Sequence, residues 1–191
     1  MTNSPAGRGD EDARLADILP RLAGGGALSV GPGDDCAQVD LAGNEVVLTS
    51  DVLVDGVHFE LLTCGPEAAG AKALLVNLSD LAAAGARPRA CEVGVVLPRG
   101  APPDVFDGLA RGLGRVARTY RCPVAGGDTN VANGPLVVAV TAIGLPPPSG
   151  RIVTRRGAVP GDVLSVTGPL GGSPRGRHLD FVPRLAEAGV L

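Results

Sequence analysis

Aromatic side chains are nearly missing from this chain: three Phe, one Tyr and no Trp among 191 residues. Apolar residues still make up 45%, so Val, Leu and Ala must fill any core. Lysine is scarcer still: Lys72 is the single one, and the remaining basic side chains are arginines. A net charge of −3 gives no basic footprint for nucleic acid or for an anionic membrane. No apolar run is long enough to span a bilayer, and no N-terminal apolar stretch has the form of a signal peptide. Cys36, Cys64, Cys91 and Cys122 include no Cys-x-x-Cys pair. A structural zinc site is therefore not expected, and a reduced, cytoplasmic protein with free thiols is. Neither G-x-x-x-x-G-K-[ST] nor G-x-G-x-x-G is present, and the protein-kinase signatures are missing. If the chain handles a nucleotide, metal ions and backbone amides must do the work of a phosphate-loop lysine.

What is present is a regular alternation of apolar segments and glycine turns. Residues 1–10 are polar and are expected to be disordered. Leu15, Ile18, Leu19 and Leu22 predict an amphipathic helix over 11–23, disturbed near its end by Pro20. A glycine turn in GPGDDCAQVDL (31–41) leads to a short strand. Val46 to Leu48 form a strand that is expected to end at the polar Thr49-Ser50-Asp51 cluster. Between Pro66 and Gly85, Ala71, Leu74, Leu75, Leu78, Leu81 and Ala82 line one face of a helix. That pattern puts Asp80 on the opposite face with Asn77 beside it. CEVGVVLP (91–98) reads as a strand, 102–121 as a second helix, AGGDTN (125–130) as a loop and GPLVVAVTAIGLP (134–146) as a long strand. A loop over 150–162 then leads to a last strand, DVLSVTG (162–168). With no helix between the final strands, the order predicts an α+β fold rather than a doubly wound sheet.

Aspartates recur where the chain turns: Asp34, Asp35, Asp51, Asp55 and Asp128, with Asp80 on a helix. Each alone is an ordinary turn or cap residue. As a set they supply the oxygen ligands that a hard divalent cation takes, commonly alongside substrate phosphates. Gly126-Gly127-Asp128 could bring backbone amides near a phosphate. Arg151, Arg155 and Arg156, in a glycine-flanked loop, suit bidentate phosphate contacts.

Six segments in order resemble thiamine-monophosphate kinase: GPGDDCA (31–37), LTSDVLVDGVHF (48–59), KALLVNLSDLAAAGARP (72–88), GGDT (126–129), GRIVTRRGAVPGD (150–162) and VTGPLGGS (166–173). That family shares its fold with aminoimidazole ribonucleotide synthetase, selenophosphate synthetase and a hydrogenase-maturation protein. The resemblance implies transfer of the ATP γ-phosphoryl group to thiamine monophosphate, giving thiamine diphosphate. It implies Asp35, Thr49, Ser50, Asp51, Asp80 and Asp128 as magnesium ligands, and Gly127, Asp128 and Arg155 as ATP contacts. His58 would contact the thiamine phosphate; no residue is implied as acid, base or nucleophile. It further implies a mixed or antiparallel sheet with helices on one face, closing a barrel across a homodimer.

By the same resemblance, residues 11–160 form the ATP- and magnesium-binding domain, and 161–191 start a second domain that is cut short. The pattern is lost after Gly172, and Pro174-Arg175-Gly176 would begin a helix poorly. A truncated kinase half is therefore the expectation. The alternatives are another ATP- and magnesium-dependent enzyme of that superfamily, with a different phosphate or acyl acceptor, and a non-catalytic dimerisation module.

Overall fold

The computed structural model describes residues 16–18 and 27–190. The expected disordered stretch 1–10, and the helix expected over 11–23 apart from a helical turn at 16–18, lie outside the described residues. One mixed sheet organises the rest. Its strands are β1 (Leu28–Val30), β2 (Ala37–Asp40), β3 (Glu45–Val54), β4 (Arg87–Pro98), β5 (Val124–Ala132) and β6 (Val137–Leu145), ordered β1-β2-β3-β6-β4-β5. All neighbours are antiparallel except β4 and β5. A parallel pair needs a crossover, which α2 (Pro103–Thr119) provides, while α1 (Leu61–Ala83) links β3 to β4.

Strand alternation sorts the side chains. Val47, Thr49 and Leu53 of β3, Val93 and Val95 of β4, and Val138, Val140 and Ala142 of β6 are buried on the helix-covered face. Their alternates Ser50, Val52 and Thr141 are exposed. Helices cover one face, and the fold is α+β as the order of elements predicts.

The regular part of α1 starts at Pro66, after a break at Gly65 (φ 75°), where the sequence places it. Its burial differs from the expectation. Because α1 lies between the sheet and α2, its burial extends beyond one stripe: Asn77 is fully buried. Asp80, expected on the outer face, turns to the sheet and accepts a hydrogen bond from Thr49 Oγ1 at 2.8 Å. Glycines allow α1 and α2 to touch backbone to backbone. A Cβ on Gly112 would stand 2.0 Å from the Glu67 carbonyl oxygen, and one on Gly70 2.3 Å from that of Leu109.

Three further expectations are corrected. Thr49-Ser50-Asp51 does not end a strand but lies in the middle of β3, since its pairing with β6 continues to Val54. AGGDTN is not a loop: it is the body of β5, at the sheet edge, with every residue exposed. Gly127 serves close strand approach there, since a Cβ would meet the Val93 carbonyl oxygen at 1.9 Å. DVLSVTG forms no strand because no ladder partner lies beside it; Val163 and Leu164 are 88% and 94% exposed. The last part of the chain holds a 3₁₀ turn at Ser173–Arg175 and a short helix, α3 (Leu185–Ala188).

Candidate active site

The clearest polar concavity lies where β2 runs out beside β3. Pairing of those strands stops at Ala37–Leu48, while β3 continues along β6. Past Leu48, the free edge of β3 therefore borders a cleft of about 410 Å³. The glycine turn before β2 forms one wall with Asp34, Asp35 and Cys36; Thr49, Ser50 and Asp51 form the next; Asp80 comes from α1 and Arg155 from the loop after β6. Five of the expected residues are thus brought together with Arg155: Asp35, Thr49, Ser50, Asp51 and Asp80. Ser50 differs from its neighbours. Its hydroxyl is held on the open sheet face, 3.0 Å from Thr141 Oγ1 and 3.3 Å from the Val140 carbonyl.

The carboxylates strain against one another. Burial, with Asp51 and Asp35 nearby, pushes the Asp80 carboxyl up to about 6, against the Thr49 hydrogen bond. Burial also raises Asp51, and its hydrogen bond with Asp80 pulls the other way. The charged form of Asp80 is thus disfavoured beside Asp51 and Asp35, and a cation standing there would favour it. Burial, with Asp80 and Asp35 nearby, pushes the Cys36 thiol up to about 12. Arg155 partly offsets the charge: its Nη2 lies 2.7 Å and its Nε 3.3 Å from the Asp35 carboxylate oxygens. Its backbone amide donates to Asp34 Oδ1 at 2.5 Å.

The protein side-chain donors here are oxygens apart from the buried thiol, which suits a hard cation such as magnesium. Among the described residues no three His, Cys, Asp or Glu side chains are grouped closely enough to hold a metal by themselves.

The other expected residues lie elsewhere. Gly127 and Asp128 border a mainly apolar hollow of about 370 Å³ between β5 and α2, together with Phe106, Leu109 and Leu113. Asp128 is satisfied locally, accepting from the Thr129 amide at 2.9 Å and the Asn130 side chain at 2.8 Å. His58 borders a third hollow, of about 330 Å³, with Glu60, Cys64 and His178. Its Nδ1 accepts from the Val54 amide at 3.0 Å, and the buried Lys72 amine donates to its carbonyl. Asp55 is a capping residue, its Oδ1 accepting from the Leu61 amide at 2.8 Å. Sequence reading missed Cys36 in the cleft and the buried Gln38 next to it. The spacing of GDDCAQ along one short segment was the available signal for both.

The model of the family described as AIR synthase related protein, N-terminal domain, matches residues 33–145. Thiamine-monophosphate kinase from Rhodopirellula baltica is 36% identical over 189 residues, covering 95% of this chain and 59% of that protein. The Bacillus subtilis enzyme of the same name is 35% identical over 171 residues, covering 89% of this chain and 52% of that enzyme. The chain thus spans between half and three-fifths of the length of these curated relatives. Among solved structures, AaThiL complexed with AMPPCP and TMP superposes with a TM-score of 0.77 at 26% identity, over 98% of this chain and 64% of that one. By this match over more than half of its length, the chain belongs to the AIR synthase related proteins, whose N-terminal domain it carries.

Proposed function

We propose that this chain is the ATP-binding part of a thiamine-monophosphate kinase, which transfers the γ-phosphoryl group of ATP to thiamine monophosphate. One observation carries the reading: Asp35, Asp51 and Asp80 are gathered with Thr49 and Arg155 at the open edge of β3. The names of the relatives and the ligands of AaThiL support it.

In this reading Asp35, Thr49, Asp51 and Asp80 would hold magnesium in the cleft, which when bound neutralises phosphate charge. Asp128 would serve a different ion from its separate hollow, and Ser50, its hydroxyl on the open sheet face, would offer only its main chain. Gly127, Asp128 and Arg155 face ATP, and His58 faces the phosphate of the acceptor. Phosphoryl transfer to a phosphate brings two anions together, so positioning and charge neutralisation are the protein's main tasks. Arg155 would release Asp35 to meet a phosphate oxygen with the same fork. Positive charge arriving beside Asp80 would lower its raised carboxyl and favour the charged form. No side chain needs to form a covalent intermediate.

The sheet face that the helices leave open carries Val52 and Thr141, which supports a homodimer closed through that face into a barrel. We read 11–160 as the nucleotide-binding unit and 161–191 as the beginning of a second one, on the strength of the exposed Val163, Leu164 and Leu170. A cytoplasmic site of action accords with four free thiols. Among the described residues no helix is long and apolar enough to cross a membrane.

Calorimetric titration with AMPPCP, with and without magnesium, tests the first half of the proposal. A coupled assay with thiamine monophosphate tests the second. Magnesium-dependent binding is the expected result; a folded protein that binds no nucleotide under either condition would leave only an assembly role.

A further inference from the structure

Arg155 sits on a stretch without secondary structure, 146–161 apart from its turns, yet its position is tightly defined. The definition comes from β2 and the turn before it. At one end, Asp34 and Asp35 hold the Arg155 amide and guanidinium. At the other end stands Gln38, only 3% exposed. Its Nε2 donates to the Gly150 carbonyl at 2.7 Å and to the Glu45 carboxylate, and its Oε1 accepts from the Ile152 amide at 3.4 Å. Between these ends the Val153 amide donates to the Ala84 carbonyl at 3.0 Å. Segment 34–38 and loop 150–155 thus run past each other in opposite directions, joined by side-chain amide and carboxylate groups where a strand pair would use its backbone.

We propose that Gln38 is a positioning residue for Arg155, its buried carboxamide fixing loop 150–154 so that the guanidinium is presented to the carboxylate cleft. A buried amide is tolerated only with its partners made, and this one makes three bonds, two of them to the loop. The loop gains two of its anchors from a single side chain. Gly150 (φ 75°) and Gly157 (φ 112°) bracket the segment with left-handed turns, and between them its other anchors are the buried Ile152 side chain and the amides of Val153 and Arg155. The consequence for catalysis rests on the function proposed above; the structural role does not.

Gln38→Met keeps length and apolar volume while removing every polar atom. Amide hydrogen exchange on this variant is expected to accelerate at Ile152 and Arg155 by about tenfold, the scale set by losing one hydrogen bond, while Val138 and Val140 in β6 stay protected. Magnesium-dependent AMPPCP affinity is expected to fall about fivefold. In an Arg155→Ala background the same substitution should change nothing further, because residues acting through one another are not additive. Unchanged exchange at Ile152, or full additivity with Arg155→Ala, would overturn the proposal. If the wild-type chain binds no nucleotide, the kinase reading fails while the exchange comparison still decides the role of Gln38.

Discussion

The aspartates of the cleft and Asp128 on β5 were read from the sequence as one set of possible cation ligands, yet they stand in different surroundings. Asp51 and Asp80 are half-buried, share a hydrogen bond and resist ionisation. Asp128 is exposed and satisfied by its neighbours one and two residues on. The first group carries electrostatic tension that a cation would relieve; the second is held by bonds to its own strand. A motif can thus mark a site, but packing decides how much work its charges do.

The largest effect expected on this contrast comes from β5 itself. Gly127→Ala drives a methyl into the Val93 carbonyl and should destabilise the fold by about 3 kcal/mol. Gly126→Ala, with nothing within 4 Å, should stay within about 0.5 kcal/mol. Urea denaturation of the pair checks whether β5 is a packed strand; equal losses would make it the loop that the sequence suggests.

Asp80→Asn should come next. It removes a carboxylate that the proposed function assigns to magnesium, and on that proposal should weaken magnesium-dependent nucleotide binding tenfold or more, about 1.4 kcal/mol. The folded-state value near 6 exceeds the ordinary 3.8, so the folded protein binds more protons between those values. Wild-type stability from this group is therefore present below about pH 4 and is lost as pH rises through 6. In melts without nucleotide or metal, Asn should then stabilise the protein at pH 7.5 and leave it nearly unchanged near pH 4. A stabilisation of equal size at both pH values would refute the desolvated-carboxyl account.

Arg155→Ala has a smaller expected effect and separates binding from stability. Its ion pair with Asp35 is largely exposed, so melting should shift by less than about 1 kcal/mol. Nucleotide affinity should drop several-fold by titration. Smallest of all is the stability change in Asp128→Asn, within about 0.5 kcal/mol by denaturation. Its loss of nucleotide affinity should be weaker than that of Asp80→Asn; equal losses would erase the distinction between the two regions.

Much of the sheet was legible from alternation. Val137 to Leu145 and the regular start of α1 at Pro66 fall where the pattern predicts them. The misreadings share a cause. Asp80 and Asn77 read as outward-facing because one apolar stripe suffices for a surface helix, but α1 is covered by α2 as well as by the sheet. Gly126-Gly127 read as a turn because glycine is the common turn residue, whereas Gly127 is required by a backbone contact 34 residues back, at Val93. Residues 162–168 have strand composition but no partner. The cleft was legible as a residue set because its carboxylates cluster in short motifs, while the part played by Gln38 depended on a loop more than a hundred residues away.

The early end of β2 has one more consequence. Beyond Leu48 the peptide groups on that side of β3 border the cleft instead of a neighbouring strand, and the Ser50 hydroxyl is engaged elsewhere. Part of any ligand contact here can come from the main chain, which no side-chain replacement removes. Alanine scanning of Thr49, Ser50 and Asp51 would therefore understate this wall, and replacing single amides by esters would measure what the scan leaves hidden.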